Sequence, residues 1–198
     1  MPVRELPSID YLRQRLRYDP ETGGLFWRFW APYLDTQNAW NPRWAGRQVG
    51  SPCARTGYVM FGFDYHTLRA HRVIWAMVYA AWPEQHIDHI NHDRADNRLV
   101  NLRAADHALN SKNMSLKKNN ASGVCGVNWK ASHRRWVAQI YAAGQKMHLG
   151  LFHDFEKAVA ARRAAEVKYG FHPNHGAPRA EHDKRRLHAP STCVTPKA

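Results

Sequence analysis

Asp88 and His89 stand side by side in the apolar run Gln85-His86-Ile87-Asp88-His89-Ile90; Asn101 follows Asp88 by 13 residues and Asn110 follows Asn101 by 9. A carboxylate and an amide are hard oxygen donors. Mg²⁺ takes such ligands, keeps several waters and lets phosphate oxygens complete its shell, so Asp88 and Asn110 are the expected metal ligands, with manganese as an alternative ion. His89 is then free to act as a base. An imidazole with an ordinary pKa near ~6.5 is neutral at physiological pH and can take a proton from water attacking phosphorus. Only one tautomer can do so, and the side-chain oxygen of Asn101 is the expected acceptor that fixes it. The chemistry implied is metal-assisted hydrolysis of a phosphodiester. An Asp-His pair alone is usually just solvated, so the reading rests on the conjunction. Asn113 and His107 are alternatives to Asn110.

The elements that must position these groups follow from local patterns. The isoleucines flank an alternating run, so Asp88 and His89 project to opposite sides of a strand. A turn-rich loop, Asn91 to Arg98, leads to the short apolar return Leu99-Val100-Asn101-Leu102. Asp106 is an N-cap for a helix through about Leu116. Upstream, Val73, Ile74, Met77, Val78 and Ala81 form an apolar stripe on a helix over about 68–82, ended by Trp82-Pro83. His71 at its start reads as a cap or as a group reaching the site. His86 and His92 are expected at the rim of the site or in solvent. Arg72, Arg94, Arg98 and Arg103 are candidate phosphate contacts.

Residues 1–66 read as a helix capped by Ser8 and then strands, among them Leu25 to Trp30 and Tyr58 to Phe63. Trp40 and Trp44 lie in a basic loop, where they either cover the small sheet or stack on bases. No chemistry is assigned there.

The polar stretch 117–123 reads as a flexible linker, after which the pattern resets. Three short strands, over 126–130, 135–141 and 146–151, precede a helix from Asp154 to Tyr169. Alternation puts Val127, Trp129, Trp136, Ala138, Ile140, Met147 and Leu149 on one face. Asn128, Lys130, Arg135, Gln139, Tyr141, Lys146 and His148 point the other way. Residues 116–172 hold 10 Lys and Arg against 3 Asp and Glu, while residues 67–115 hold 6 against 5. Binding charge is therefore concentrated outside the cutting unit, and the cationic sheet face suits a DNA major groove. Those seven residues are the expected DNA contacts.

Composition agrees. A net charge of +13 and a pI of about 10.1 call for a polyanionic partner. Cys53, Cys125 and Cys193 are isolated, which argues against a disulfide framework and for a reducing cytoplasm. No apolar run approaches a membrane span, and the N-terminus lacks a signal-peptide core.

The stretch from Asp88 to Asn110 resembles the HNH endonucleases of the phage and homing type, with their ββα-metal fold. The family's carboxylate-histidine pair falls on Asp88 and His89, its central Asn on Asn101 and its last ligand on Asn110. The third residue, often His in that family, is here Asn, and no Cys-x-x-Cys pair is present. The resemblance implies a one-metal nuclease with His89 activating water. About Ser122 to Phe171 resembles the plant APETALA-two/ERF DNA-binding domain, through Gly126-Val127, Trp136 to Ile140, Leu149 to Phe152 and the Ala-rich stretch Ala158 to Ala165. Cys125, Asn128 and Tyr141 stand where the plant domains usually carry Arg, so their base preference does not transfer.

The expectation is an α+β chain. It comprises an N-terminal unit 1–66, an HNH core 67–116, a linker 117–123, an ERF-like three-stranded antiparallel sheet on one helix at 124–171, and a disordered basic tail 172–198. Its partner would be double-stranded DNA, with a monomer nicking and a dimer needed for a double-strand break. A DNA-binding regulator with a degenerate nuclease fold and an RNA-binding protein are the rival readings.

Overall fold

Ser8 holds an extended backbone and its hydroxyl accepts the Tyr11 amide, starting the helix α1 (Ile9–Arg15). It leads into the antiparallel pair β1 (Leu16–Asp19) and β2 (Gly24–Trp27). A short helix α2 (Trp40–Trp44) precedes a three-stranded sheet of β3 (Ser51–Pro52), β4 (Val59–Phe63) and β5 (His66–Arg69), in the order β3-β4-β5. The helix α3 (Ala70–Tyr79) ends where Ala80 turns left-handed at φ 55°. That is earlier than the apolar stripe implies, and Leu68 and Arg69 belong to β5. β6 (His86–His89) and β7 (Leu102–Ala105) pair antiparallel, with a 3₁₀ turn at Leu99–Asn101 between them. α4 (His107–Ser111) follows, its start capped by Asp106 Oδ1 on the Leu109 amide at 2.7 Å. The second sheet comprises β8 (Val127–Lys130), β9 (Arg135–Ala142) and β10 (Gln145–Phe152), and α5 (Phe155–Lys168) lies against it. This computed structural model describes residues 5–30 and 40–177. The architecture is α+β.

Two cores hold these elements. The larger takes Leu12, Leu16 and Leu25 from the first elements, Val59, Phe61, Phe63 and Leu68 from the β3-β4-β5 sheet, Val73, Ile74 and Met77 from α3, and Ile87 and Leu102 from β6 and β7. The N-terminal segment and the strands carrying Asp88 and His89 thus share one core, and β5 spans the expected boundary at 66/67. Arg13 of α1 also donates to the Met77 carbonyl on α3. Trp40 packs edge-on to Trp27, and the Arg15 guanidinium lies 4.4 Å from the Trp30 ring and 4.6 Å from Trp40. These rings cover the small sheets, although Trp44 lines an open cleft.

The smaller core is Val127, Ala138 and Ala158, flanked by Trp136, Leu149, Phe152 and Phe155. Cross-strand partners share a face, so the register Lys130↔Arg135, Gln139↔His148 and Tyr141↔Lys146, with Asn128↔Val137, puts all seven expected DNA contacts on the open face. A bulge between His148 and Gly150 then shifts the phase and turns Leu151 to that face as well. Trp129 stays 51 % exposed beside Trp136, so it is not covered as its alternation implied.

Three segments depart from expectation. Residues 120–124 are not a loose tether. Ser122 Oγ donates to the Val127 carbonyl and Asn120 Oδ1 accepts the Gly123 amide at 2.7 Å, fastening the turn to the start of β8. α4 stops at Ser111 instead of Leu116 because the chain beyond it pairs elsewhere: the Met114 carbonyl accepts from Gly176 N at 2.8 Å, and Leu116 N donates to the Ala177 carbonyl at 3.0 Å. Residues 172–177, expected in a disordered tail, make those bonds. The rest of that expected tail, from 178 on, lies outside the described residues.

Candidate active site

The β6-β7 pairing sets Asp88 opposite Arg103 and His89 opposite Leu102, so neighbours in sequence face opposite ways. Asp88 Oδ2 accepts from Arg103 Nη2 at 2.9 Å and from Asn113 Nδ2 at 2.9 Å. His89 goes inward, 3 % exposed. Its Nε2 stands 3.1 Å from Asn97 Oδ1. An amide oxygen only accepts, so Nε2 carries the proton and Nδ1 keeps the lone pair a base needs. Sealed ring nitrogens without a partner occur at His71 Nδ1, His92 Nδ1 and His175 Nδ1; His89 Nδ1 is not one of them.

Asn101 therefore does not orient His89. Its Oδ1 accepts the Asn91 amide at 2.9 Å and its Nδ2 donates to the Asp96 carbonyl at 2.8 Å. These bonds clamp the loop between β6 and the 3₁₀ turn, and the clamped loop presents Asn97. The loop is further wound by its own side chains: Asn91 Oδ1 takes the Asp93 amide at 2.8 Å and Asp93 Oδ1 takes the Ala95 amide at 2.9 Å. The N-terminal segment supports it from below. Tyr18 of β1 accepts the Leu99 amide at 3.1 Å and donates to the Asn97 carbonyl at 3.4 Å. Gly23 lets the turn between β1 and β2 come close: with φ at +73°, a Cβ there would sit 2.6 Å from the Arg98 nitrogen. Asn97 and Tyr18 carry no sequence signal of their own, because an Asn in a turn-rich loop and a Tyr in a strand are ordinary.

Three more imidazoles need placing. His71, at the start of α3, is buried with its ring 5.0 Å from that of His89 and 4.9 Å from that of Tyr58. Burial, with His89, Arg69, Arg72 and Arg94 nearby, pushes its pKa down to about 3. It is a neutral wall of the site. Burial also lowers the pKa of His89, against the hydrogen bond it donates to Asn97 and the charge of Asp88. His92 is not at the rim: it is buried, and its Nε2 lies 2.6 Å from the Asn113 carbonyl and 3.1 Å from Asn113 Oδ1. His172 lies within electrostatic reach of Arg103, His92 and Asp88, and desolvation holds its pKa below the ordinary value.

The arginines named as phosphate contacts all have partners within the chain. Arg72 donates to the Pro83 and Gln85 carbonyls, Arg94 to the Thr56 carbonyl, Arg98 to Asp96 and Arg103 to Asp88.

Among the described residues no group of three or more His, Cys, Asp or Glu side chains is placed to hold a metal. The chain instead offers one carboxylate beside amides. Asn113 points its Nδ2 at Asp88 Oδ2 and at the His89 and Ile90 carbonyls, so it orients the carboxylate with its nitrogen. Asn110 is exposed on α4, with no side-chain hydrogen bond among the described residues, and no hydrogen bond joins it to Asp88. Asp88 Oδ1 likewise accepts none. By chemistry the Asp88 carboxylate and the Asn110 amide are hard oxygen donors of the kind a divalent cation that keeps most of its waters takes.

A family model described as HNH endonuclease matches residues 68–112. Over 107 residues the chain is 33 % identical to Protein 3.8 of Escherichia phage T7, which covers 54 % of this chain and 85 % of that protein. The chain belongs to that protein's family. No solved structure matches it. The HNH segment holds Asp88, His89, Asn97, Asn101 and Asn110, whereas Tyr18, Asn113 and His172 lie outside it. Among the described residues no helix is long and apolar enough to cross a membrane, and Cys53 and Cys125 are free.

Proposed function

We propose that this chain is a metal-dependent DNA endonuclease of the phage homing type, with His89 as the general base. The observation that carries the reading is the His89–Asn97 hydrogen bond. It leaves a neutral imidazole with its Nδ1 lone pair uncommitted, one residue from a carboxylate. Asp88 and Asn110 would hold the cation, magnesium or manganese, while Arg103 and Asn113 keep the carboxylate in place. When bound, the ion would supply charge stabilisation at the phosphate oxygens. His89 Nδ1 accepts the proton of the attacking water. Asn97 holds the opposite nitrogen and stabilises the imidazolium that forms. Asn101 and Tyr18 hold Asn97.

The second sheet, an ERF-like unit in this reading, grips duplex DNA through Asn128, Lys130, Arg135, Gln139, Tyr141, Lys146 and His148. Its support is the shared register face, whose side chains are not tied to one another among the described residues. One centre per chain yields a nick from a monomer, and a double-strand break requires two copies. The enzyme acts in the host cytoplasm.

The test is supercoiled plasmid incubated with purified protein in Mg²⁺ or in EDTA. Open-circle product only with the metal supports the reading; DNA bound yet intact in both Mg²⁺ and Mn²⁺ points to a regulator.

A further inference from the structure

The chain beyond α5 returns to the cutting centre. His172 N donates to the Lys112 carbonyl at 3.1 Å, Gly176 N to Met114 at 2.8 Å, and Leu116 N to Ala177 at 3.0 Å, so residues 172–177 are laced to the segment that follows α4. Asn174 reaches further, with its Nδ2 2.9 Å from the Ile90 carbonyl, immediately after His89. The other end of this strap is fixed to the second sheet's helix: His175 Nε2 lies 3.2 Å from Arg162 Nη2, and Arg162 also donates to the Gln139 carbonyl of β9 at 2.8 Å. The same guanidinium is paired with Glu166 at 2.9 Å and is buried.

We propose that this strap is part of the nuclease centre, with His172 donating a hydrogen bond to the scissile phosphate and Asn174 positioning the backbone that carries Asp88 and His89. The proposal rests on the nuclease reading. His172 Nδ1 accepts the Asn174 amide at 3.1 Å, so the neutral ring has its proton on Nε2. That N–H has no partner among the described residues and is not sealed from solvent. Arg103 is held on Asp88, whereas His172, tied through its backbone to Lys112 and two residues from the Asn174 that reaches Ile90, keeps an uncommitted donor within electrostatic reach of that pair. A preorganised donor aimed where negative charge grows on phosphate oxygens lowers the barrier without adding to ground-state grip. The strap also explains why α4 is short. It fixes the cutting centre to the sheet face, so the distance between gripped and cut DNA is set by folded structure instead of by residues 117–123.

The experiment uses the full chain and compares wild type, His89→Ala, His172→Ala and His172→Gln, whose amide places a donor near the position of Nε2. Single-turnover cleavage is measured at saturating duplex in Mg²⁺, and affinity is measured in EDTA. The expected result is a loss of roughly 10²-fold in rate for His172→Ala, with affinity within about twofold and with most of the rate restored in His172→Gln. His172→Ala cutting at the wild-type rate, or His172→Gln failing as badly as His172→Ala, overturns the donor role. Wild type failing to cut overturns the nuclease reading itself, which separates the two failures. The positioning arm is read without cleavage: Asn174→Ala should speed amide exchange over residues 87–91 about tenfold relative to α1, by loss of a backbone tether. Unchanged exchange there overturns it.

Discussion

The candidate cutting centre and the open face of the second sheet treat their polar groups in opposite ways. Around His89 nearly every polar side chain is committed: Asp88 to Arg103 and Asn113, His89 to Asn97, and Asn101 to Asn91 and Asp96. On the sheet, the side chains of Lys130, Arg135, Gln139, Tyr141, Lys146 and His148 have no hydrogen bond or ion pair among the described residues. A reaction needs groups held in place before substrate arrives. A grip on polyanionic DNA needs mobile cations that trade counterions for phosphates. The first region should therefore be intolerant of small changes, and the second should respond in modest steps.

The sharpest way to break the contrast is at Asp88. Asp88→Ala removes the carboxylate proposed to hold the cation and should lower cleavage by about 10³-fold or more, since such stabilisation amounts to several kcal/mol. Gel-shift affinity without metal should barely change. Next comes Asn97→Ala, which frees the His89 tautomer and should slow single-turnover cleavage roughly 10- to 100-fold at constant affinity. An unaltered rate would return the orienting role to another group.

Acid destabilises the region around His89 through its buried imidazoles. His71 and His89 have folded pKa values below the unfolded ~6.5, so the unfolded chain binds more protons once pH falls under that value. Stability is complete above about pH 6.5 and is lost progressively toward about pH 3, by on the order of 4–5 kcal/mol from His71 alone. Urea melts of the chain at pH 7, 5.5 and 4.5 should show this, and His71→Phe should flatten the slope. The smallest effects belong to the sheet. Lys130→Ala or Lys146→Ala should each weaken DNA binding only a few-fold and reduce the salt slope by about 1, with the rate at saturating DNA unchanged. A large change in that rate would deny the division of labour.

What was legible in the sequence follows the same division. Period-two alternation marked β8, β9 and β10 and put all seven open-face residues together, because strand geometry is local. It missed the bulge between His148 and Gly150, which turns Leu151 outward, because nothing in the alternation marks a break in register. The opposite projection of Asp88 and His89 from one strand and the Asp106 cap were legible from type and spacing. The partner of His89 was not: Asn97 and Asn101 are both buried amides four residues apart, and only the closed loop decides which one faces the imidazole. α4 was read too long because its end is set by residues 176 and 177, more than sixty positions away in the chain. Tyr18 was passed over for a similar reason, since its hydroxyl meets Asn97 only after the N-terminal strands join the core of α3 and β6.

In the proposed mechanism His89 removes a proton from water while playing no part in holding DNA. This role is tested most directly by comparing wild type with His89→Ala on one saturating duplex in Mg²⁺, with affinity measured in parallel and the wild-type rate followed over pH. The expected result is a loss of about 10²- to 10⁴-fold in rate at unchanged affinity, and a wild-type rate that rises with pH through a midpoint below 6.5 before levelling, because the lowered pKa keeps the imidazole neutral. Cleavage by His89→Ala at the wild-type rate would contradict that role.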